Sequence, residues 1–183
     1  MPERSAVLAA LAILALAAAL ILHGAPAAAE REDTLKTYYA TILHPGPDAL
    51  AEFGERISRS ALLKGGDPTK VEKKVAEEVD AIVYRVKQLL DMYPVSFDFT
   101  LRVHNGPEEL IGAWRSAGKT GRPPIAFFVA ASGTIHLTNE DLTAGVLAHE
   151  IAHAVINSYF ETPPPEKMQE ILSQYVDRHL WDE

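Results

Sequence analysis

The chain of 183 residues contains no cysteine. That excludes a disulfide framework, a thiolate metal site and a thiol nucleophile. Any metal held here is held by His, Asp or Glu. Basic residues are the second shortage: 17 Lys and Arg stand against 25 Asp and Glu, a net charge of −8. A nucleic-acid binder needs a basic face for the phosphates, so no nucleic-acid partner is expected, and a strongly anionic substrate is disfavoured. Internal repeats and low-complexity linkers are absent after residue 30. The length suits one compact domain with a real core.

Long apolar runs are scarce as well, with one exception near the start. Ala6 to Leu22 carries no charge, follows Arg4, and precedes the small-x-small pair Ala27 and Ala29. The pattern predicts a secretory signal peptide over residues 1–29. Glu3 offsets Arg4, and the run is just long enough to span a bilayer, so a retained membrane anchor is the alternative. Either way, residues 30–183 are expected to be exported, to the periplasm or outside the cell. Without a cysteine after the run, a lipid-anchored form is excluded.

The exported part alternates short β-rich segments with helical ones, which predicts a single α+β domain, 30–92 leading and 93–183 forming the core of the site. Strands are expected at 37–43 (TYYATIL, with a helix as the alternative), 95–104, 125–130 and 134–138. Pro47 and Asp48 open a helix running to about Leu63. Asp67 caps and Pro68 begins a long helix to Met92, with Val71, Val75, Val79, Ile82, Val86 and Leu89 at helical spacing. A short helix is expected from Pro107 to Ala117. Thr138 and Asp141 resemble a capping box for a helix ending near Tyr159. The proline run after Glu161 interrupts, and a last helix starts at Pro165 or Glu166.

Within AGVLAHEIAHAVIN (144–157), almost every residue is apolar, and His149, Glu150 and His153 stand out. On a helix, His149 and His153 lie one turn apart on one face, with Glu150 beside it. Leu142, Leu147, Ile151, Val155 and Ile156 surround the cylinder, so the helix is buried. A buried carboxylate beside two buried imidazoles is costly unless something compensates. A divalent cation does so, taking both neutral imidazoles and favouring ionised glutamate. This is the His-Glu-x-x-His pattern of zinc peptidases, in which the glutamate is the general base. A third ligand is needed, and Glu161, Glu166, Glu170, Asp177 and His179 are the downstream candidates.

HEIAH (149–153) with QEILSQY (169–175) resembles the gluzincin peptidases, in particular small exported bacterial members. The resemblance spans residues 95–180 at most. It implies a minimal zincin-like domain, one zinc ion held by His149, His153 and Glu170, and a second helix carrying Glu170. Ser173 matches the small residue three positions on. Gln169 stands where the family has asparagine, and Ile171 where a second family pattern has glycine. Gln174 falls where many members have an acid that orients a ligand histidine, a role Asp177 could take instead. The resemblance also implies an edge strand within 125–138 that pairs with extended peptide.

The expected activity is zinc-dependent peptide hydrolysis with Glu150 as base and a peptide or protein as substrate. The alternative is an inactive metal-binding or partner-binding module of the envelope. Tyr159, Tyr175, His136 and His179 are candidates for stabilising an oxyanion. His44 and His104, at strand ends beside turns, are expected at the surface.

Overall fold

A computed structural model describes residues 32–59 and 67–182. The signal-or-anchor expectation for residues 1–29 lies outside the described residues. Among those described, no helix is long and apolar enough to cross a membrane.

The domain is α+β, as the alternating pattern predicts. Its strands are β1 (Asp33–Lys36), β2 (Ala40–His44), β3 (Phe99–His104), β4 (Ala126–Val129) and β5 (Thr134–Thr138). They form one mixed sheet in the order β1-β2-β3-β5-β4. β2, β3 and β5 run parallel, while β1 and β4 are antiparallel edges. The described helices are α1 (Pro47–Ile57), α2 (Pro68–Leu90), α3 (Pro107–Ser116), α4 (Ala144–Tyr159) and α5 (Glu166–His179).

Period-two patterning decides which face is covered. Phe99, Leu101 and Val103 of β3 are buried with Ile135 and Leu137 of β5, in one core with Val75, Val79, Ile82 and Val86 of α2 and Leu147, Ile151 and Val155 of α4. Arg102, His104, His136 and Phe127 lie on the other face, where Trp114 of α3 meets Phe127 edge-on at 4.9 Å.

Several boundaries differ from expectation. TYYATIL is not one strand, because Thr37–Tyr39 form the turn between β1 and β2. Asp80 of α2 holds that turn: its carboxylate accepts from Thr37 Oγ1 at 2.7 Å and from the backbone N–H of Tyr38 and Tyr39. β-propensity yields here to a partner some forty residues away. β3 begins only at Phe99, with Val95 fully exposed. Asp67 does cap α2, accepting from Thr69 N–H at 3.0 Å, but the helix ends at Leu90 with Asp91 left-handed. α1 ends at Ile57; the expected extension beyond residue 59 lies outside the described residues.

The Thr138–Asp141 capping box is not formed. Thr138 ends β5, Asp141 adopts a left-handed φ of 58°, and Thr143 is the cap, its Oγ1 accepting from Val146 N–H at 3.2 Å. The chain needs residues 139–143 to turn from the sheet onto the helix layer. His44 and His104 are not surface residues. His44 is buried with Nδ1 2.9 Å from Gly46 O, and His104 packs against His136.

Candidate metal centre

α4 is buried because its apolar residues recur on every side: Leu147, Ala148, Ile151, Ala152, Val155 and Ile156 are all inaccessible. His149 and His153, one turn apart, are the polar interruption, with ring centroids 5.1 Å apart. After Tyr159 the segment FETPPP cannot continue the helix, since prolines lack the N–H and clash with the preceding turn. The chain reverses, and α5 packs back along α4.

This return brings Glu170 over the histidine pair. His149 Nε2 and His153 Nε2 are 3.3 Å apart. Glu170 Oε2 lies 3.5 Å from the first and 3.6 Å from the second. These three side chains form a group that could hold a metal ion. The other third-ligand candidates are elsewhere. Asp177 packs against Gly145, His179 bonds Asp182 and rests on Tyr175, Glu161 is exposed, and Glu166 lines the cleft without joining the group.

His153 and Glu170 have electron pairs to offer. Gln169 Oε1 lies 3.4 Å from His153 Nδ1, a long contact, while its Nε2 donates to Pro164 O at 2.8 Å. With the amide oriented by Pro164, Oε1 can only accept, so His153 carries its proton on Nδ1 and presents a bare Nε2. Asn157 Nδ2 donates to the same Gln169 oxygen at 2.9 Å and to His153 O at 2.8 Å. Burial, and then His149, hold the His153 pKa below its ordinary value. Glu170 is held below the usual carboxylate range, first by the hydrogen bond from Gln174 Nε2 to its Oε1 at 2.9 Å, then by the two imidazoles.

Glu150 points toward the sheet edge. Thr138 N–H donates to Ile125 O, so by antiparallel alternation Phe127 and Val129 bond inward to β5 while Phe128 faces out. Glu150 accepts a backbone hydrogen bond from Phe128. Burial pushes the Glu150 carboxyl up to about 8, against the opposing effects of that bond and of Lys119.

The donors open onto a cleft of about 480 Å³ along β4. His149, Glu150, His153, Gln169 and Glu170 line it from the α4–α5 side, and Trp114 and Lys119 from the other. Tyr159, Tyr175, His136 and His179 are not among its lining residues. Tyr159 meets Phe160 edge-on, and His136 lies between His104 and Phe127 on the opposite sheet face.

The sequence pattern offers Gln174 or Asp177 for orienting a histidine, but the residue that meets the His153 ring is Gln169, beside Glu170. A faint signal existed: Asn157 follows His153 by one turn, so a polar partner was required on that face. Lys119 and Trp114 carried no signal of their own. No protein-family model, curated protein or solved structure matches the chain.

Proposed function

We propose that this protein is an exported zinc peptidase of gluzincin type, with His149, His153 and Glu170 as ligands and Glu150 as general base. One observation carries the reading, the triangle of donor atoms. Zinc ligands at about 2.0–2.2 Å in tetrahedral arrangement are separated by roughly 3.3–3.6 Å. The triangle measures 3.3, 3.5 and 3.6 Å. Three protein donors, none of them a thiolate, and an open cleft beside them are the features of a catalytic rather than a structural site.

When bound, the ion supplies a Lewis acid that polarises a peptide carbonyl and acidifies water. The chain's own residues do the rest. An extended peptide pairs with the outward backbone groups of the edge strand that Glu150 leaves open, those of Ala126 and the carbonyl of Phe128, which sets its carbonyl near the donors. Glu150 is not a ligand; it accepts a proton from water and passes it to the leaving amine. Its bond to Phe128 N–H ties the base to the strand that receives the peptide. Gln169 and Asn157 hold the His153 ring so that Nε2 is the free nitrogen. The apolar run near the N-terminus supports action outside the cytoplasm.

A binding module without turnover is the second reading. It is favoured by the lack of any tyrosine, or any histidine beyond the two ligands, among the described lining residues of the cleft.

The test is metal analysis and peptide-library digestion of the exported domain and its Glu150→Gln variant. About one zinc per chain is expected in both, lost in His149→Ala and His153→Ala. Cleavage should fall by orders of magnitude in Glu150→Gln. Protein made with ample zinc but containing none overturns the metal assignment. Equal partner binding without cleavage by either form favours the binding module.

A further inference from the structure

The cleft has one cationic side chain among its described lining residues, Lys119. Its position is built into the backbone. α3 ends at Ser116 with Ala117 as its cap, Gly118 takes a left-handed φ of 74°, and Lys119 N–H donates to Trp114 O while Gly118 N–H donates to Arg115 O. Those two bonds are the Schellman motif, which places the second residue past the cap against the residue three before the helix end. Here that contact is the Lys119 ammonium over the Trp114 ring, 4.8 Å from its centroid. Trp114 is itself fixed, donating from Nε1 to Thr120 O at 3.0 Å and meeting Phe127 edge-on.

Among the described residues no carboxylate lies within ion-pair distance of Lys119. The cation is exposed, aimed into the cleft and free to receive a ligand. The opposite wall carries the carboxylates of Glu166 and Glu170. The groove therefore separates charge across the width of the edge strand. A peptide paired with β4 turns successive side chains to opposite walls. Where one residue faces α4 and the donor triangle, its neighbour faces Trp114 and Lys119.

We propose that Lys119, seated on Trp114, receives a carboxylate of the bound peptide, carried one residue from the bond presented to the three donors. The inference rests on the peptide reading above and adds its substrate class. The net charge of −8 opposes polyanionic ligands at long range, so the preference is for a single carboxylate at one register position. Either an acidic side chain or the peptide's free C-terminus supplies that chemistry.

The experiment uses the zinc-loaded Glu150→Gln chain, labelled peptides and fluorescence anisotropy. One neutral sequence is offered with an amidated C-terminus, with a single Glu walked through it, and with a free C-terminal carboxylate. At one position Glu should tighten binding about tenfold over Gln, the size of one charge-assisted contact. The preference should vanish in Lys119→Ala, persist in Lys119→Arg and invert toward a Lys-bearing peptide in Lys119→Glu. A gain from the free terminus alone assigns the carboxylate to the chain end, and a gain from Glu alone assigns it to a side chain. Equal affinity for all peptides, or a preference that survives Lys119→Ala, overturns the inference. If wild type then still cleaves neutral peptides, the peptidase reading stands without it. If no peptide binds and wild type cleaves none, both fall.

Discussion

The carboxylate of Asp177 occupies the place where a side chain at Gly145 would begin: a Cβ there would lie 2.1 Å from Asp177 Oδ1. Gly145 is one turn before His149 on α4, and Asp177 is two turns after Glu170 on α5. The absent methyl leaves room for the Asp177 carboxylate, while the Asp177 carbonyl oxygen, at 3.7 Å, is in ordinary contact. Asp177 is exposed and its side chain can turn aside, so Gly145→Ala, which gains up to about 1 kcal/mol of helix propensity, is expected to be neutral to mildly stabilising in denaturant unfolding. A loss of more than about 1 kcal/mol, abolished in an Asp177→Ala background, would show instead that the contact limits the approach of the two helices.

Gln169 should matter to the metal although it does not touch it. Removing its carbonyl leaves the His153 ring free to turn or change tautomer. Gln169→Ala is expected to weaken zinc binding about 10- to 100-fold in a competition titration with a chelating dye. Gln174→Ala, which removes an exposed contact to Glu170, should cost less. The opposite ranking would return the orienting role to Gln174.

Zinc binding should release a proton near neutral pH. Burial lifts the metal-free Glu150 carboxyl to about 8, so it is protonated at pH 7. A cation beside it favours the ionised form. Affinity should therefore rise with pH up to about 8. Calorimetry at pH 7 in buffers of different ionisation heat should show close to one proton released, most of it lost in Glu150→Gln. His153, held below its ordinary value, is already neutral there and contributes little.

The histidine stack behind the sheet predicts acid sensitivity. Burial, then His104 and Arg102, lowers the His136 pKa to about 4. Burial also lowers that of His104, against the opposing pull of Glu109. The unfolded chain takes up these protons near pH 6.5 and the folded chain only well below that. Stability is complete above 6.5 and is lost as pH falls toward 4. The loss should be roughly 1–2 kcal/mol for His136, after allowing for solvent screening of a partly exposed ring. His136→Phe should flatten urea-derived stability between pH 6.5 and 4.5. An unchanged slope would assign the sensitivity to other groups.

Local patterns were enough for the helices and for the two histidines. A spacing of four on an all-round apolar helix dictates one shared face and burial of the helix, while the two rings themselves stay partly exposed at the cleft. Asp67 capped as expected, because a cap is a contact between near neighbours. Thr143 replaced Thr138 as the cap of α4, because β5 claimed Thr138 for its ladder with His104. The turn at Thr37–Tyr39 depended on Asp80, and the burial of His104 and His136 on sheet register. None of these is a property of a local window. The third donor shows the division most clearly. Five downstream residues had suitable chemistry, and their spacing could not rank them, because rank depends on how α5 packs. The proline break reverses the chain, and the packing of α5 back along α4 carries Glu170 to within 3.6 Å of both imidazoles. Lys119 enters the cleft for the same reason: a helix terminus and a sheet edge, distant in sequence from the histidines, meet only once the core has closed.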